Sequence, residues 1–139
     1  MQRFSTLGVV FVFALALALG GCGRDGLLRT KGRLLKGGVA LIPKQDEAIQ
    51  IIFVPILPDG SPPGDHYVAQ VDQATATFMP VGKNLKGMPP GKYRVAVELV
   101  KKKKDLLAGK FDTVKSPFVF DVDPRTQEII VDLDEPPAV

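Results

Sequence analysis

The sequence predicts an all-β fold, built as an antiparallel β-sandwich of roughly six or seven short strands. Glycine (14) and proline (12) are frequent among the 139 residues, and a chain punctuated this often leaves little room for long helices. Several segments also alternate between apolar and polar residues with the period of two that marks a half-buried strand. The clearest is YRVAVELV at residues 93–100, which follows the turn-rich GMPPG at 87–91. We therefore expect the strand that begins near Tyr93 to lie at the centre of the sheet.

The sequence of residues 30–54 predicts an edge strand followed by a strand that lies deep in the sheet. Residues 30–36 (TKGRLLK) are typical of an edge strand that ends at the glycine pair 37–38, and residues 39–42 form a short apolar run. Residues 48–54 (AIQIIFV) are apolar on both faces, so this strand is expected to lie deep in the sheet or to be covered on both sides. Its core-facing residues are Ile49, Ile51 and Phe53.

Two further strands follow a proline-rich loop. Residues 55–65 (PILPDGSPPGD) have the composition of a long loop. Residues 66–72 and 74–80 both alternate, and Asp72-Gln73 forms a tight connection between them. The side chains expected to point inward are Tyr67, Ala69, Val71, Ala74, Ala76 and Phe78.

The last third of the chain adds two more strands. Residues 105–109 form either one helical turn or the tip of a hairpin. Residues 118–122 and 128–133 alternate, and DPRT at 123–126 is typical of a type I turn with proline in its second position. The inward side chains are Phe118, Phe120, Val122, Ile129, Val131 and Leu133.

The N-terminus has the three-part form of a secretory signal. Arg3 supplies a short positive region, residues 7–19 are almost entirely apolar, and small residues follow. The apolar run is shorter than the roughly 20 residues that a membrane-spanning helix needs. Residues 19–22 (LGGC) resemble the bacterial lipobox. That resemblance implies that Cys22 becomes the first mature residue, with a diacylglycerol thioether on its sulfur and usually an acyl chain on its amino group.

Lipidation implies a membrane anchor in the bacterial cell envelope. Two or three acyl chains anchor a protein stably, because each buried methylene contributes about 0.8 kcal/mol. By resemblance to lipoprotein sorting in bacteria with two membranes, Gly23 favours the outer membrane and leaves the periplasmic or surface face open. The alternatives are a plain signal peptide with a chance cysteine and an uncleaved anchor.

The expected organisation has four parts. They are a signal peptide at residues 1–21, a lipidated tether at 22–29, the β-sandwich at 30–134 and a flexible tail at 135–139. Composition excludes some kinds of site within them. A single cysteine allows neither an internal disulfide nor a cysteine-rich metal site. The net charge of +3 and the pI near 9.1 are too mild to indicate a nucleic-acid partner.

A family resemblance covers residues 30–134, nearly all of the expected mature chain. Its most specific part is PPGKYRVAV at 89–97, together with the lipobox. Its other parts are KGR at 31–33, the glycine pair 37–38, IFVP at 52–55, Phe78, KF at 110–111 and SPF at 116–118. In this order they resemble small bacterial lipoproteins with a transthyretin-like, carboxypeptidase-regulatory-like domain.

The resemblance implies a seven-stranded Greek-key β-sandwich of the prealbumin type. One departure is Ala76, which stands where the family often has a glycine before the phenylalanine, and this puts a left-handed turn there in doubt. The resemblance implies little about activity, because such domains are mostly accessory or binding modules and a common fold does not carry function.

His66 is the only histidine and therefore the only side chain that can act as the base of a catalytic triad. Asp65 is adjacent and Ser61 is near, but the three form no known motif. The transthyretin-like fold also hosts a ureide hydrolase, which resembles this chain in fold but depends on several histidines and a C-terminal Tyr-Arg-Gly-Ser. This chain ends in PPAV. We expect no enzymatic activity and an exposed His66 at a strand end.

Carboxylates near two strand ends are the one candidate for a metal site. They are Asp121, Asp123, Asp132 and Asp134. Alternation places them on outward faces, and calcium takes six to eight oxygen ligands, often from such clusters. The favoured interpretation is a solvated rim that also discourages edge-to-edge pairing. We therefore expect no metal and no cofactor.

The only run of like charge consists of Lys101, Lys102, Lys103 and Lys104. Four adjacent lysines are a candidate contact for anionic lipid headgroups, lipopolysaccharide phosphates or acidic glycans. A solvated loop explains the run equally simply and is the favoured interpretation. No aromatic residue is interleaved with the lysines, so we expect no nucleic-acid binding.

Together these observations predict a lipid-anchored, non-catalytic module that acts by binding or by structure. The proline-rich loop at 55–63 is either a recognition loop on a rigid scaffold or a stiff connector. The expected partners are the membrane, through Cys22, and another envelope protein or a glycan. The alternatives are a small envelope enzyme centred on His66, a carrier of an apolar ligand between the sheets, and an assembly module with an exposed sheet edge.

Overall fold

The computed structural model describes residues 26–137, and these residues form an all-β fold without helices. The expected signal peptide and Cys22 lie outside the described residues. The strands are β1 (Lys31–Lys36), β2 (Val39–Ala40), β3 (Glu47–Pro55), β4 (Tyr67–Asp72), β5 (Thr77–Pro80), β6 (Gly91–Lys101), β7 (Lys104–Asp105), β8 (Val119–Val122) and β9 (Glu128–Asp132). Nothing in this part of the chain has the length and apolarity of a membrane-spanning helix.

The strands form one curled sheet in the order β2-β1-β5-β4-β3-β6-β7, with β8 added beside β6 and β9 beside β1. All pairings are antiparallel except that of β1 with β9. The fold class predicted from glycine, proline and period-two alternation is therefore confirmed at the level of an all-β, largely antiparallel sheet.

The longest pairing in the sheet, here called the central pair, joins β3 and β6. The strand that begins near Tyr93 is interior, between β3 on one side and β7 and β8 on the other, but it lies one place from the end of the strand order and not at the centre that the sequence predicted. The register of the central pair runs without interruption from Glu47 opposite Lys101 to Pro55 opposite Tyr93. β3 also pairs with β4, so it lies deep in the sheet, one of the two positions that its apolar residues predicted. The side chains of the two strands that belong to the main hydrophobic core are Ile49, Ile51, Phe53, Tyr93, Val95 and Val97.

The prediction that the first strand lies at an edge is wrong. β1 pairs with β9 over five residues and also with β5 and β2. The sequence of β1 is polar because its outward residues are polar, whereas Leu34 is fully buried. The register between β1 and β9 could not be predicted from local sequence, because paired residues of the two strands are 97 residues apart and their contact is parallel.

The turn between β4 and β5 is longer than predicted. It occupies residues 73–76, so Ala74 is exposed rather than inward. Ala76 is fully buried with φ 54°, and its carbonyl accepts a hydrogen bond of 2.8 Å from the N–H of Leu34. The left-handed geometry that the sequence put in doubt is therefore present without a glycine.

A side chain completes the sheet where the backbone of β4 turns away from β3. The amide of Gln73 accepts a hydrogen bond from the N–H of Ile49 (2.8 Å) and donates one to the carbonyl of the same residue (3.0 Å). The Gln73 amide thus pairs with Ile49 as a neighbouring strand's peptide group would. This contact satisfies two backbone groups that would otherwise lie unpaired and half-buried.

The two ends of the sheet are formed by different segments of the chain. At the tether end, β3 finishes at Pro55, β6 starts at Gly91, and the chain segment before β1 runs past Met88. At the lysine end, β6 and β7 form a hairpin whose turn is Lys102-Lys103. Neither alternative predicted for residues 105–109 is correct, because the hairpin tip is Lys102-Lys103, Asp105 belongs to β7, and the residues after it form turns without a helix.

Candidate functional site

A broad groove lies at the tether end of the sheet. Two loops flank it, residues 56–66 after β3 and residues 87–90 before β6, and they meet because Pro55 lies opposite Tyr93 in the central pair. The groove has a volume of about 890 Å³. Its lining residues are Pro55, Ile56, Leu57, Pro58, Pro63, Gly64, Asp65, Tyr67, Pro89, Pro90, Gly91, Lys92, Tyr93 and Asp121.

An aromatic stack joins the floor of this groove to the core. The rings of Tyr67 and Tyr93 meet edge to face at 5.9 Å and 86°, and Tyr93 meets Phe53 at 6.1 Å in a similar arrangement. Such edge-to-face pairs are favourable beyond the area they bury. Because Phe53 is fully buried, the groove floor is fixed by core packing and is in place before any ligand arrives.

The hydroxyl of Tyr93 holds the loop of residues 87–90, which is one of the two loops that flank the groove. It donates a hydrogen bond of 2.5 Å to the carbonyl of Pro89, and the residue is only 3% exposed. Burial, with a smaller contribution from Tyr67, raises the pKa of Tyr93 to about 12. The hydroxyl therefore stays protonated and keeps donating to Pro89 at physiological pH.

The rim of the groove carries charges of both signs. Lys92 lies opposite Asp121 in the register of β6 and β8, and both are exposed. Asp65 forms an exposed ion pair of 3.2 Å with Lys83. An apolar, proline-lined floor with separate polar groups at its edge is the usual make-up of a binding site for small or extended ligands.

His66 lines a second, smaller groove of about 360 Å³ on the other side of the proline-rich loop, together with Ser61, Arg94 and Thr113. The hydroxyl of Ser61 donates to Asp59 at 2.7 Å. In the described part of the chain, no hydrogen bond joins His66 to Ser61 or to Asp65. His66 is exposed beside the start of β4, as predicted.

Arg94 is the least satisfied polar side chain near these grooves. Its Nε atom is buried and is the one buried side-chain nitrogen or oxygen in residues 26–137 that lacks a hydrogen-bond partner. The sequence patterns assigned Arg94 no role. Its position could not be anticipated, because the second groove is assembled from three separate parts of the chain, residues 54–66, Arg94 and residues 113–114.

The four candidate carboxylates do not converge. Asp123 caps its own turn by accepting from the N–H groups of Arg125 (2.7 Å) and Thr126 (3.0 Å). The hydrogen bond from Arg125 is the main reason that the pKa of Asp123 is lowered. Asp121 lies at the rim of the first groove, and Asp134 pairs with Lys36 at 2.9 Å. No group of three or more metal-ligating side chains occurs between residues 26 and 137.

Asp132 corrects the prediction of an outward, solvated side chain. It is 8% exposed, and its carboxylate accepts hydrogen bonds from the N–H groups of Gly37 (2.8 Å), Gly38 (2.6 Å) and Asp134 (3.0 Å). Burial alone would raise the pKa of this carboxyl. The backbone donors outweigh burial and leave the pKa of Asp132 below its usual value. This carboxylate is therefore a structural brace for the turn between β1 and β2.

The lysine run lies at the lysine end of the sheet, away from both grooves. Lys102 and Lys103 form the hairpin turn, and Lys101 pairs with Lys104 in the strand register. Lys102, Lys103 and Lys104 are exposed. Counting along β6, this turn is about 33 Å from Gly91, at about 3.3 Å per residue.

The facing position of the two proline-containing loops was the main feature that sequence reasoning missed. Each loop was recognised separately, and residues 55–63 were considered for recognition, but residues 87–90 were treated only as the entry to β6. The available signal was the pairing of the flanking strands, since adjacent antiparallel strands bring the end of one beside the start of the other.

Comparison of the chain with protein-family models, with curated proteins and with solved structures gives no match.

Proposed function

We propose that the protein is a lipid-anchored, non-catalytic module of the bacterial cell envelope that binds a partner in the groove at its tether end. The observation that carries this proposal is the groove itself, which is apolar, lined by rigid prolines and fixed to the core through Tyr67 and Tyr93. Rigid walls favour binding, because the groove then loses little conformational entropy when a ligand binds. The partner class is another envelope protein or a glycan.

The proposed scaffold is a seven-stranded Greek-key β-sandwich like that of transthyretin-like lipoproteins. In support, the side chains of two halves of the curled sheet share one core. One half contributes Leu34, Phe78 and Val131, and the other contributes Ile51, Phe53 and Val95. In this view β4 connects the halves, since it pairs with both β3 and β5, and β2 and β7 are short hairpin extensions.

The proposed anchor is Cys22, acylated within the lipobox-like sequence LGGC. The test compares the intact mass and membrane fractionation of the protein with those of a Cys22→Ser variant in a lipoprotein-processing bacterium. We expect a mass that matches acylated residues 22–139 in the membrane fraction, and release of the variant from the membrane. A soluble, unmodified mature chain would contradict the anchor.

The groove is tested by site-specific photo-crosslinking in cells. A photoreactive residue at Leu57, on the groove lip, should give an adduct with the partner. The matched control is Leu106 near the lysine end, which is also a leucine and similarly exposed, at 44% against 37% for Leu57. Equal adducts at the two positions, or none at Leu57, would contradict binding in the groove.

The rival proposal from another class is a small envelope enzyme that uses His66. It draws on the second groove, where His66, Ser61 and Arg94 face the same space. This rival requires that His66→Ala abolish an activity while the protein stays folded. A carrier of an apolar ligand is less well supported, because large side chains such as Phe53 and Phe118 fill the space between the sheet faces.

A further inference from the structure

The segment before β1 is clipped to the loop between β5 and β6. Leu28 donates to the carbonyl of Met88 at 2.7 Å, and Met88 donates back to Leu28 at 3.0 Å. Gly87 makes this approach possible, because a Cβ at this position would lie 2.3 Å from the Leu28 carbonyl oxygen. The point at which the tether leaves the domain is therefore fixed by backbone contacts.

The same loop presents an apolar side chain to solvent. Leu85 is 64% exposed and has φ 56°, a left-handed conformation that is uncommon for leucine. The guanidinium of Arg29 donates a hydrogen bond to the Leu85 carbonyl. The backbone at the loop tip is thus held from the tether side, while the leucine side chain remains exposed to solvent.

Basic residues flank this leucine. Lys83 and Lys86 lie on either side of it in the loop and are exposed, and the exposed Arg29 contacts its carbonyl. Asp65 forms an exposed ion pair with Lys83. An exposed leucine among cations suits the boundary of an anionic bilayer, where apolar side chains enter the headgroup region and lysines meet phosphates.

The segment between Cys22 and the described domain is short, which limits how far this loop can lie from the proposed anchor. Cys22 precedes Gly26, the first described residue, by four residues, which span at most about 14 Å when fully extended. We infer that residues 82–87 form a membrane-contact loop, with Leu85 entering the headgroup region of the anchoring bilayer. This inference rests on the proposed anchor at Cys22. It places the groove, which shares Asp65 with the loop's surroundings, near the bilayer surface.

The contact is tested with the full lipidated protein in vesicles of phosphatidylcholine and phosphatidylglycerol in a 3:1 ratio. Leu85→Cys is labelled with an environment-sensitive maleimide dye, and Leu106→Cys is the matched control at the opposite end. We expect a blue-shifted dye emission at position 85 that quencher-bearing lipids reduce at least twofold, and an aqueous emission at position 106.

Labelling stoichiometry separates the two proposals. A thioether at Cys22 cannot react with maleimide, so an anchored chain takes one dye, whereas a free Cys22 gives two. Two dyes per chain would overturn the anchor and the inference together. One dye per chain with equal emission at positions 85 and 106 would overturn the inference alone. A shift at position 85 that depends on protein density rather than on lipid would also overturn it, because it would indicate self-association.

Proteolysis provides a second measurement without substitution in the loop. A lysine-specific protease should cut the vesicle-bound protein at Lys102 or Lys103 about as fast as it cuts the soluble Cys22→Ser variant. Cleavage at Lys83 and Lys86 should be at least fivefold slower on vesicles than in solution. Equal slowing at both ends, or at neither, would contradict a contact confined to residues 82–87.

Discussion

Two hairpins of this protein have turns with the same backbone conformation, but one turn consists of glycines and the other of lysines. The turn between β1 and β2 consists of Gly37 and Gly38, with φ 61° and 78°. The turn between β6 and β7 consists of Lys102 and Lys103, with φ 49° and 65°. Positive φ at both central residues is the mark of a type I′ turn, which suits the twist of a two-residue hairpin.

The two hairpins differ in where their stability comes from. Glycine adopts positive φ readily, whereas the left-handed conformation costs an L-residue such as lysine roughly 1–2 kcal/mol. Asp105 follows the lysine turn and braces the base of its hairpin, accepting from the N–H groups of Leu99 on β6 (3.1 Å) and of Leu107 (2.9 Å) and Gly109 (2.8 Å) after β7. Asp132 instead accepts directly from the turn residues Gly37 and Gly38, whose conformation is already favourable.

The largest effect is expected on removing the brace at the base of the lysine hairpin. Asp105→Ala leaves three backbone donors without their acceptor and should lower the free energy of unfolding by about 3 kcal/mol. Urea denaturation measures this loss. Asp105→Asn, which keeps one acceptor oxygen, is the control and should lose less. An Asp105→Ala chain as stable as the parent would mean that the base of this hairpin needs no brace.

The second prediction replaces the strained residues themselves. Lys102→Asn combined with Lys103→Gly gives the residue pair most favoured in type I′ turns and should raise the free energy of unfolding by about 1–2 kcal/mol. Lys102→Gln with Lys103→Gln removes the same charges but keeps the strain, so it should change stability much less. If both double variants gain equally, charge repulsion rather than backbone strain limits this hairpin.

The elements that the sequence could predict are those in which local residue preferences agree with the final fold. The faces of β3 and β6 and the Gly37-Gly38 turn were predictable, because local pattern and the final fold agree there. Ala76 and the lysine turn were not, because each adopts a left-handed conformation that its own residue type disfavours. The pairing of Gln73 with Ile49 and the assembly of the groove also depend on contacts between distant segments. Only the separate loops of that groove could be recognised in advance.

A smaller effect is expected at the glycine turn. A Cβ at position 38 meets open space, so Gly38→Ala imposes a backbone penalty without a steric clash. The free energy of unfolding should fall by about 1 kcal/mol. Gly64→Ala is a suitable control, since a Cβ there also meets open space and Gly64 is not among the positive-φ glycines. Equal losses in the two variants would indicate that positive φ is not the cause.

The smallest effect concerns pH and tests the brace at the glycine turn. The pKa of Asp132 is lower in the folded protein than the ordinary value of 3.8. Its contribution is therefore fully present above pH 3.8 and is lost as the pH falls through the lowered folded pKa. In an NMR titration, the amide signals of Gly37 and Gly38 should move in that acidic range, because a protonated carboxyl is a weaker acceptor than a carboxylate. In an Asp132→Asn variant the same two signals should lose this titration, whereas the amide signals of Arg125 and Thr126 should still follow Asp123. Movement of the glycine signals in the variant would assign the titration to another carboxyl, and the brace at the glycine turn would then be independent of charge.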